Sequence, residues 1–103
     1  MNIKVSLLYA SSCDWFGITY FRETHLPLMA TSLGDVCRRV MVEEGIRGVG
    51  AGTPPAFSAV AHLYFDTLED DQRTFDLQSE IILSDIGNFT DTLPVIQVGR
   101  VLA

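Results

Sequence analysis

Basic residues are scarce in this sequence. Seven Lys and Arg stand against thirteen Asp and Glu in 103 residues, for a formal net charge of -6. The seven are scattered (Lys4, Arg22, Arg38, Arg39, Arg47, Arg73, Arg100). No positive stripe can neutralise phosphates, so neither nucleic acid nor an anionic membrane surface is expected as a partner. No apolar run approaches the roughly 18 residues needed to span a bilayer. Cysteine is scarce too, with only Cys13 and Cys37. A disulfide framework would need more, so both read as reduced thiols and the expected location is the cytoplasm. The opening Met1-Asn2-Ile3-Lys4 lacks the apolar stretch of a signal peptide, which fits that expectation. There are two histidines, His25 and His62, and no Cys-x-x-Cys or His-Glu-x-x-His spacing. No metal and no cofactor are therefore expected. Gly48-x-Gly50-x-Gly52 leads into Thr53-Pro54-Pro55 rather than a helix. It is not a nucleotide fingerprint, and reads as a flap over a pocket mouth or a long hairpin connection.

Apolar residues, by contrast, are plentiful at 48%. The length suits one domain, 1–103, and a domain this small buries only about 60–65% of its unfolded surface. An interior cavity or a subunit interface is needed to take up the excess.

Periodicity supplies the elements. Residues 3–9 alternate, with Ile3, Val5, Leu7 and Tyr9 on one face, and predict a strand. Ser11 to Asp14 can cap a helix running from about Trp15 to Leu33. Ile18, Phe21, His25, Leu28, Met29 and Ser32 share its inner stripe, and the helical wheel points Tyr20 outward. Pro27 should kink this helix, and Gly34 should end it. Residues 36–44 and 57–65 read as strands. Thr67 and Asp70 fit a capped start for a second helix, which reaches about Asp85. Its expected inner stripe is Leu68, Gln72, Phe75, Ser79, Ile82 and Leu83. A last strand covers 94–102. The order β-α-β-β-α-β is the ferredoxin-like α+β arrangement, a four-stranded antiparallel sheet with both helices on one face. Both faces of the third strand are apolar, so a second copy of the sheet is expected to cover the side the helices leave bare. The homodimer so formed is a dimeric α/β barrel.

Three segments resemble the EthD family of the dimeric α/β-barrel superfamily. They are Phe16-Gly17 followed by Tyr20-Phe21-x-x-x-His25-x-Pro27-Leu28, then His62 to Glu69, then Asp85-Ile86-Gly87-Asn88-Phe89-Thr90-Asp91 with Pro94 to Val98 after it. The resemblance spans nearly the whole chain. It departs from the family at Gly17, where Asp is usual, at Phe21, where a second Tyr is common, at Gln78, where some members carry His, and at Gly87, where Pro is frequent. The wider superfamily includes muconolactone-type isomerases, cofactor-free monooxygenases and polyketide cyclases. The resemblance thus implies a small-molecule protein of degradation or secondary metabolism.

His25 is the candidate catalytic residue. A neutral imidazole in an apolar cavity can act as general acid or base, and its structural alternative is a histidine bonded to a backbone group. The expected pocket lies between helices and sheet. Ile18, Phe21, Leu28, Phe75, Ser79 and Ile82 line it, and it suits a small apolar or aromatic ligand. The chemistry would be proton transfer on a carbonyl or enol compound, as in isomerisation, cyclisation or cofactor-free oxidation. The alternative is a non-catalytic ligand-binding or accessory protein of a catabolic oxygenase system. His62 reads as a second pocket residue or a packed interface residue. Cys13 could be a nucleophile only with a base beside it. Asp85 closes the second helix, where the dipole disfavours negative charge, and is expected to bond backbone N–H groups of the turn at Asn88 to Thr90.

Overall fold

The computed structural model describes residues 1–103, and the elements follow the expected order. Strand β1 (Ile3–Ala10) leads to a helical stretch in three pieces, α1 (Ile18–Tyr20), a π turn (Phe21–His25) and α2 (Leu26–Leu33). A 3-10 turn (Gly34–Val36) precedes β2 (Arg39–Glu44). Then come β3 (Phe57–Phe65), α3 (Leu68–Ser84), a second 3-10 turn (Ile86–Asn88) and β4 (Val95–Arg100). The sheet order is β2-β3-β1-β4 and every neighbouring pair is antiparallel. This is the ferredoxin-like α+β fold.

Alternation along β1 does what its pattern requires. Ile3, Val5, Leu7 and Tyr9 are buried under the helices, with Leu7 opposite Ala61 on β3 and Ile96 on β4. Ala59, Ala61, Leu63 and Phe65 of β3 join them, and Phe21, Met29, Leu33, Phe75 and Ile82 close the core from above. Each large apolar side chain so enclosed contributes about 1.5–3 kcal/mol. Thr67 caps α3 as expected, its hydroxyl accepting from the Asp70 N–H at 3.0 Å. Gly34 ends α2 with a φ of +68°, a backbone region that favours glycine.

Three local expectations need correction. The first helix begins at Ile18, not Trp15, because the preceding segment pairs elsewhere: Phe16 bridges to Thr90, and the Gly17 N–H donates to the Phe89 carbonyl at 2.6 Å. Pro27 acts through a π turn. The Leu26 N–H reaches back five residues to the Phe21 carbonyl, a widened turn that makes room for a ring that cannot donate. On α3, Gln72 is exposed and Asp71 takes the buried position, while Leu68 is also exposed. The stripe through Ile82 and Phe75 steps back four residues to 71, not three to 72.

The molecule measures 41 × 33 × 19 Å. The shortest dimension holds one sheet and one helical layer, so the face of the sheet away from the helices has no cover of its own. Leu8, Val60, Tyr64 and Met41 lie on that face, with Ser6 and His62 among them. No helix is long and apolar enough to cross a membrane.

Candidate functional site

The site forms where the π turn meets the end of α3. The widened turn carries His25 at its last position, and the imidazole is 0% exposed. Asp85 follows the last residue of α3, its carboxylate directed back at the first helix. His25 Nδ1 lies 2.9 Å from Asp85 Oδ2. The Tyr20 hydroxyl donates to Asp85 Oδ1 at 2.8 Å, and the Asn88 side-chain amide donates to the same oxygen at 2.9 Å. The Asn88 amide also lies 3.3 Å from the Tyr20 oxygen. One carboxylate thus gathers three donors from three elements.

This arrangement overturns two sequence expectations. Tyr20 does not point outward; the turn of the helix brings its hydroxyl onto Asp85. Asp85 bonds side chains rather than the backbone of the turn after it. The signal for Asp85 was present in the sequence. A carboxylate at a helix C-terminus faces partial negative charge, so it needs donors from elsewhere, and an acid at that position was a pointer to tertiary partners. Asn88 sits three residues on, one turn of the 3-10 segment away, and carried no signal of its own.

The electrostatics assign the protons. Burial lowers the His25 pKa below its ordinary value, and the hydrogen bond and charge of Asp85 only partly offset that. Burial pushes Asp85 up, yet the bonds from His25, Asn88 and Tyr20 outweigh it and hold the carboxyl below its usual range. Around neutral pH the pair is therefore a neutral imidazole beside a carboxylate. A carboxylate only accepts, so the imidazole proton sits on Nδ1 and donates to Asp85. Nε2 keeps its lone pair. It is buried and no protein group bonds it. An imidazole with one nitrogen held by a carboxylate and the other free can act as a general base.

The surroundings are aromatic. Phe21 stacks on the imidazole at 5.9 Å between centroids, and Phe89 lies at 4.6 Å. Phe16 packs on both phenyl rings from outside, at 5.3 and 5.5 Å. A seam holds this cover shut: the Thr90 hydroxyl donates to the Trp15 carbonyl at 2.8 Å, and the Asp14 N–H donates to the Asp91 carboxylate at 3.1 Å.

The other expected site residues fall as follows. Phe21, Phe75 and Ile82 are buried in the same core as His25. Ile18 packs against that core, and Leu28 is half-buried. Ser79 turns back on its own helix, its hydroxyl donating to the Asp76 carbonyl at 3.0 Å. No open cavity lies between helices and sheet. The one groove, about 340 Å³, sits at the end of β2 and β3 beside Glu43, Arg47, Pro55 and Phe57. The 45–56 loop belongs to that groove. The Gly45 N–H donates to the Ser58 carbonyl and extends the β2–β3 ladder, so the loop is a hairpin connection. His62 faces the opposite side of the sheet from His25, with Nε2 2.8 Å from Glu43 Oε1. The two imidazoles do not meet. Cys13 faces Ser58 Oγ at 3.8 Å rather than an imidazole.

Comparison with known proteins places the chain as a whole. The sequence model of the EthD domain matches residues 18–93. The chain is similar to the crystal structure of an EthD-like protein from Ralstonia eutropha JMP134, at 33% identity over 98% of this chain and 92% of that one, with a TM-score of 0.89. It is similar to an ethyl tert-butyl ether D (EthD) family protein from Bacillus halodurans C-125, at 20% identity, covering 99% of this chain and 100% of that one, with a TM-score of 0.72. A dimeric protein of unknown function and ferredoxin-like fold from Bacteroides fragilis NCTC 9343 shares the fold at 11% identity, with 95% and 93% coverage and a TM-score of 0.53. No curated protein is similar enough to count as a match.

Proposed function

This chain belongs to the EthD family, and on that premise we propose that it binds a small apolar or aromatic carbonyl or enol compound and moves a proton on it with His25. The observation that carries the proposal is the divided imidazole: Nδ1 is tied to Asp85 at 2.9 Å while Nε2 is buried, neutral and unbonded. Phe21 and Phe89, in contact with each other, supply adjoining apolar walls beside it, and Ile18, Leu28, Phe75, Ser79 and Ile82 remain the residues proposed to shape the pocket as it opens. The reaction asks for no cofactor. Nε2 takes a proton from carbon or oxygen next to the carbonyl and returns it to another atom of the same molecule, an isomerisation or the proton step of a cyclisation. The two unpaired thiols, Cys13 and Cys37, suit a reducing compartment, the cytoplasm in this reading.

The working form is proposed to be a homodimer. The bare sheet face carrying Leu8, Val60, Tyr64 and Met41 would pack on its own copy to complete a dimeric α/β barrel, as the description of the Bacteroides fragilis protein as dimeric invites. The full enclosure of His25 favours a second reading, a carrier or accessory protein that holds its ligand without turning it over, since any ligand exchange would have to open the cover over the imidazole.

Acetophenone in deuterium oxide separates the two readings. A working base deuterates its methyl group faster than buffer does, and His25→Asn should lower that acceleration at least 10²-fold. A wild-type protein whose melting temperature rises with acetophenone but whose exchange rate equals that of buffer is a carrier. A protein that shows neither effect is no small-molecule site of this class.

A further inference from the structure

We propose that the Tyr9 hydroxyl is the second ligand-contacting group of the His25 site, and that the pair selects a planar compound carrying a carbonyl next to an acidic hydrogen, such as a 1,3-diketone or its enol; the proposal rests on the reading of His25 as a base. Tyr9 ends the buried row of β1 and is 0% exposed. Its hydroxyl is buried and has no hydrogen-bond partner in the protein, the same condition as His25 Nε2. The two groups share their walls. Phe21 lies 5.5 Å from the Tyr9 ring and 5.9 Å from the imidazole, and Phe89 lies 5.6 Å and 4.6 Å from them. Phe16 covers Tyr9 from the seam at 5.5 Å.

A buried polar atom without a partner is costly, and native structures contain few. Two in one aromatic box, on side chains that phenylalanine or leucine could replace without loss of apolar packing, call for a common cause. A ligand that bonds both is such a cause. The two atoms are also complementary. Burial raises the Tyr9 pKa far above that of an ordinary phenol, so its oxygen keeps its proton and donates. His25 Nε2 accepts. A carbonyl oxygen suits the first and an enol O–H or an acidic C–H the second, and the phenyl rings favour a flat π system between them.

The electron count closes within the substrate. Nε2 takes the proton, the C–H pair becomes the C=C of the enolate, and the carbonyl π pair moves onto oxygen, where the Tyr9 O–H donates to the charge that develops. Return of the proton to another carbon of the extended system completes an isomerisation with no other reagent.

Tyr9→Phe tests this in the full chain, with benzoylacetone and acetophenone as probes. Removing a hydroxyl that bonds no protein group leaves the ligand-free melting temperature unchanged or higher. Wild type should bind benzoylacetone about tenfold tighter than acetophenone by calorimetry, because only its enol O–H can also donate to His25 Nε2, and Tyr9→Phe should weaken both ligands about tenfold, since each offers its carbonyl to the lost hydroxyl. The deuteration of acetophenone should fall about 10²-fold, as for loss of one donor to a developing oxyanion. Unchanged affinity and exchange in Tyr9→Phe, with loss in His25→Asn, would overturn the role of Tyr9 and leave that of His25 standing. A lower ligand-free melting temperature with unchanged affinity would also overturn it, because the hydroxyl would then be structural and satisfied by a bound water. Absence of binding and of exchange in the wild type would end both readings.

Discussion

Asp85→Asn is the sharpest perturbation of the site. The substitution keeps the shape of the side chain and replaces one carboxylate oxygen by an amide NH2. Tyr20 and Asn88 both donate to Oδ1, so the retained carbonyl oxygen belongs there. The amide nitrogen then faces His25 Nδ1 at the 2.9 Å now occupied by Oδ2. Two donors cannot face each other, so the imidazole must shift its proton to Nε2 and accept at Nδ1. Exchanging a charge-assisted bond for a neutral one costs about 1–2 kcal/mol, which lowers the melting temperature by roughly 4–15 °C in a chain of this size. The larger effect is chemical. With Nε2 carrying the proton, the base is lost, and acceleration of acetophenone deuteration should fall by about 10²–10⁴. The assay is direct: long-range proton–nitrogen NMR of His25 reports which ring nitrogen is protonated. Wild type should show Nδ1–H and bare Nε2, and Asp85→Asn the reverse. A wild-type spectrum with the proton on Nε2, or an Asp85→Asn protein with full activity, would refute the reasoning from the dyad.

Three further outcomes are expected. The folded His25 is harder to protonate than the unfolded one, so its contribution to stability is fully present above about pH 6.5 and is lost as pH falls through its lower folded pKa. Asp85, also lowered, adds a term of the same sign that is present above about pH 3.9 and lost below it; thermal melts from pH 8 to 4 should be flat and then decline, and His25→Asn should flatten the first part of the decline. Asp71 has the opposite sign: burial raises its pKa and Asp76 adds to the rise, so its ionised form costs stability as pH climbs past that value, and Asp71→Asn should raise the melting temperature at pH 7 and not at pH 4. Val60→Asp places a charge on the bare sheet face beside Leu8, its partner in register on β1; analytical ultracentrifugation should find wild type as a dimer and the variant as a folded monomer.

The fold was legible because each strand advertises which side it buries. Ile3, Val5, Leu7 and Tyr9 leave one register for β1, and Thr67 with Asp70 marks the start of α3. Helix phase was legible only to one residue, as the exchange of Gln72 for Asp71 shows; two neighbouring polar residues give no contrast with which to choose. His25 could be found because it interrupts an apolar stripe. Tyr20, Asp85 and Asn88 could not be assembled, since 65 residues separate the hydroxyl from the carboxylate and nothing local records that contact. The helical wheel also assumed one pitch throughout, and the turn from Phe21 to His25 does not keep it.

That widened turn has a consequence for how the chain tolerates change in length. An extra residue per turn offsets everything before it from everything after it by about 100° of rotation, so Ile18 and Met29 sit in different phases of one rod. Removal of a single residue between Arg22 and Thr24 would restore an unbroken ladder and, by propensity alone, improve the rod. It would also swing the imidazole away from the acid at the end of α3. The locally better helix would be the one that lacks the imidazole–carboxylate pair, and if that pair is the working site, natural variation in this stretch should run to exchanges of residue rather than deletions.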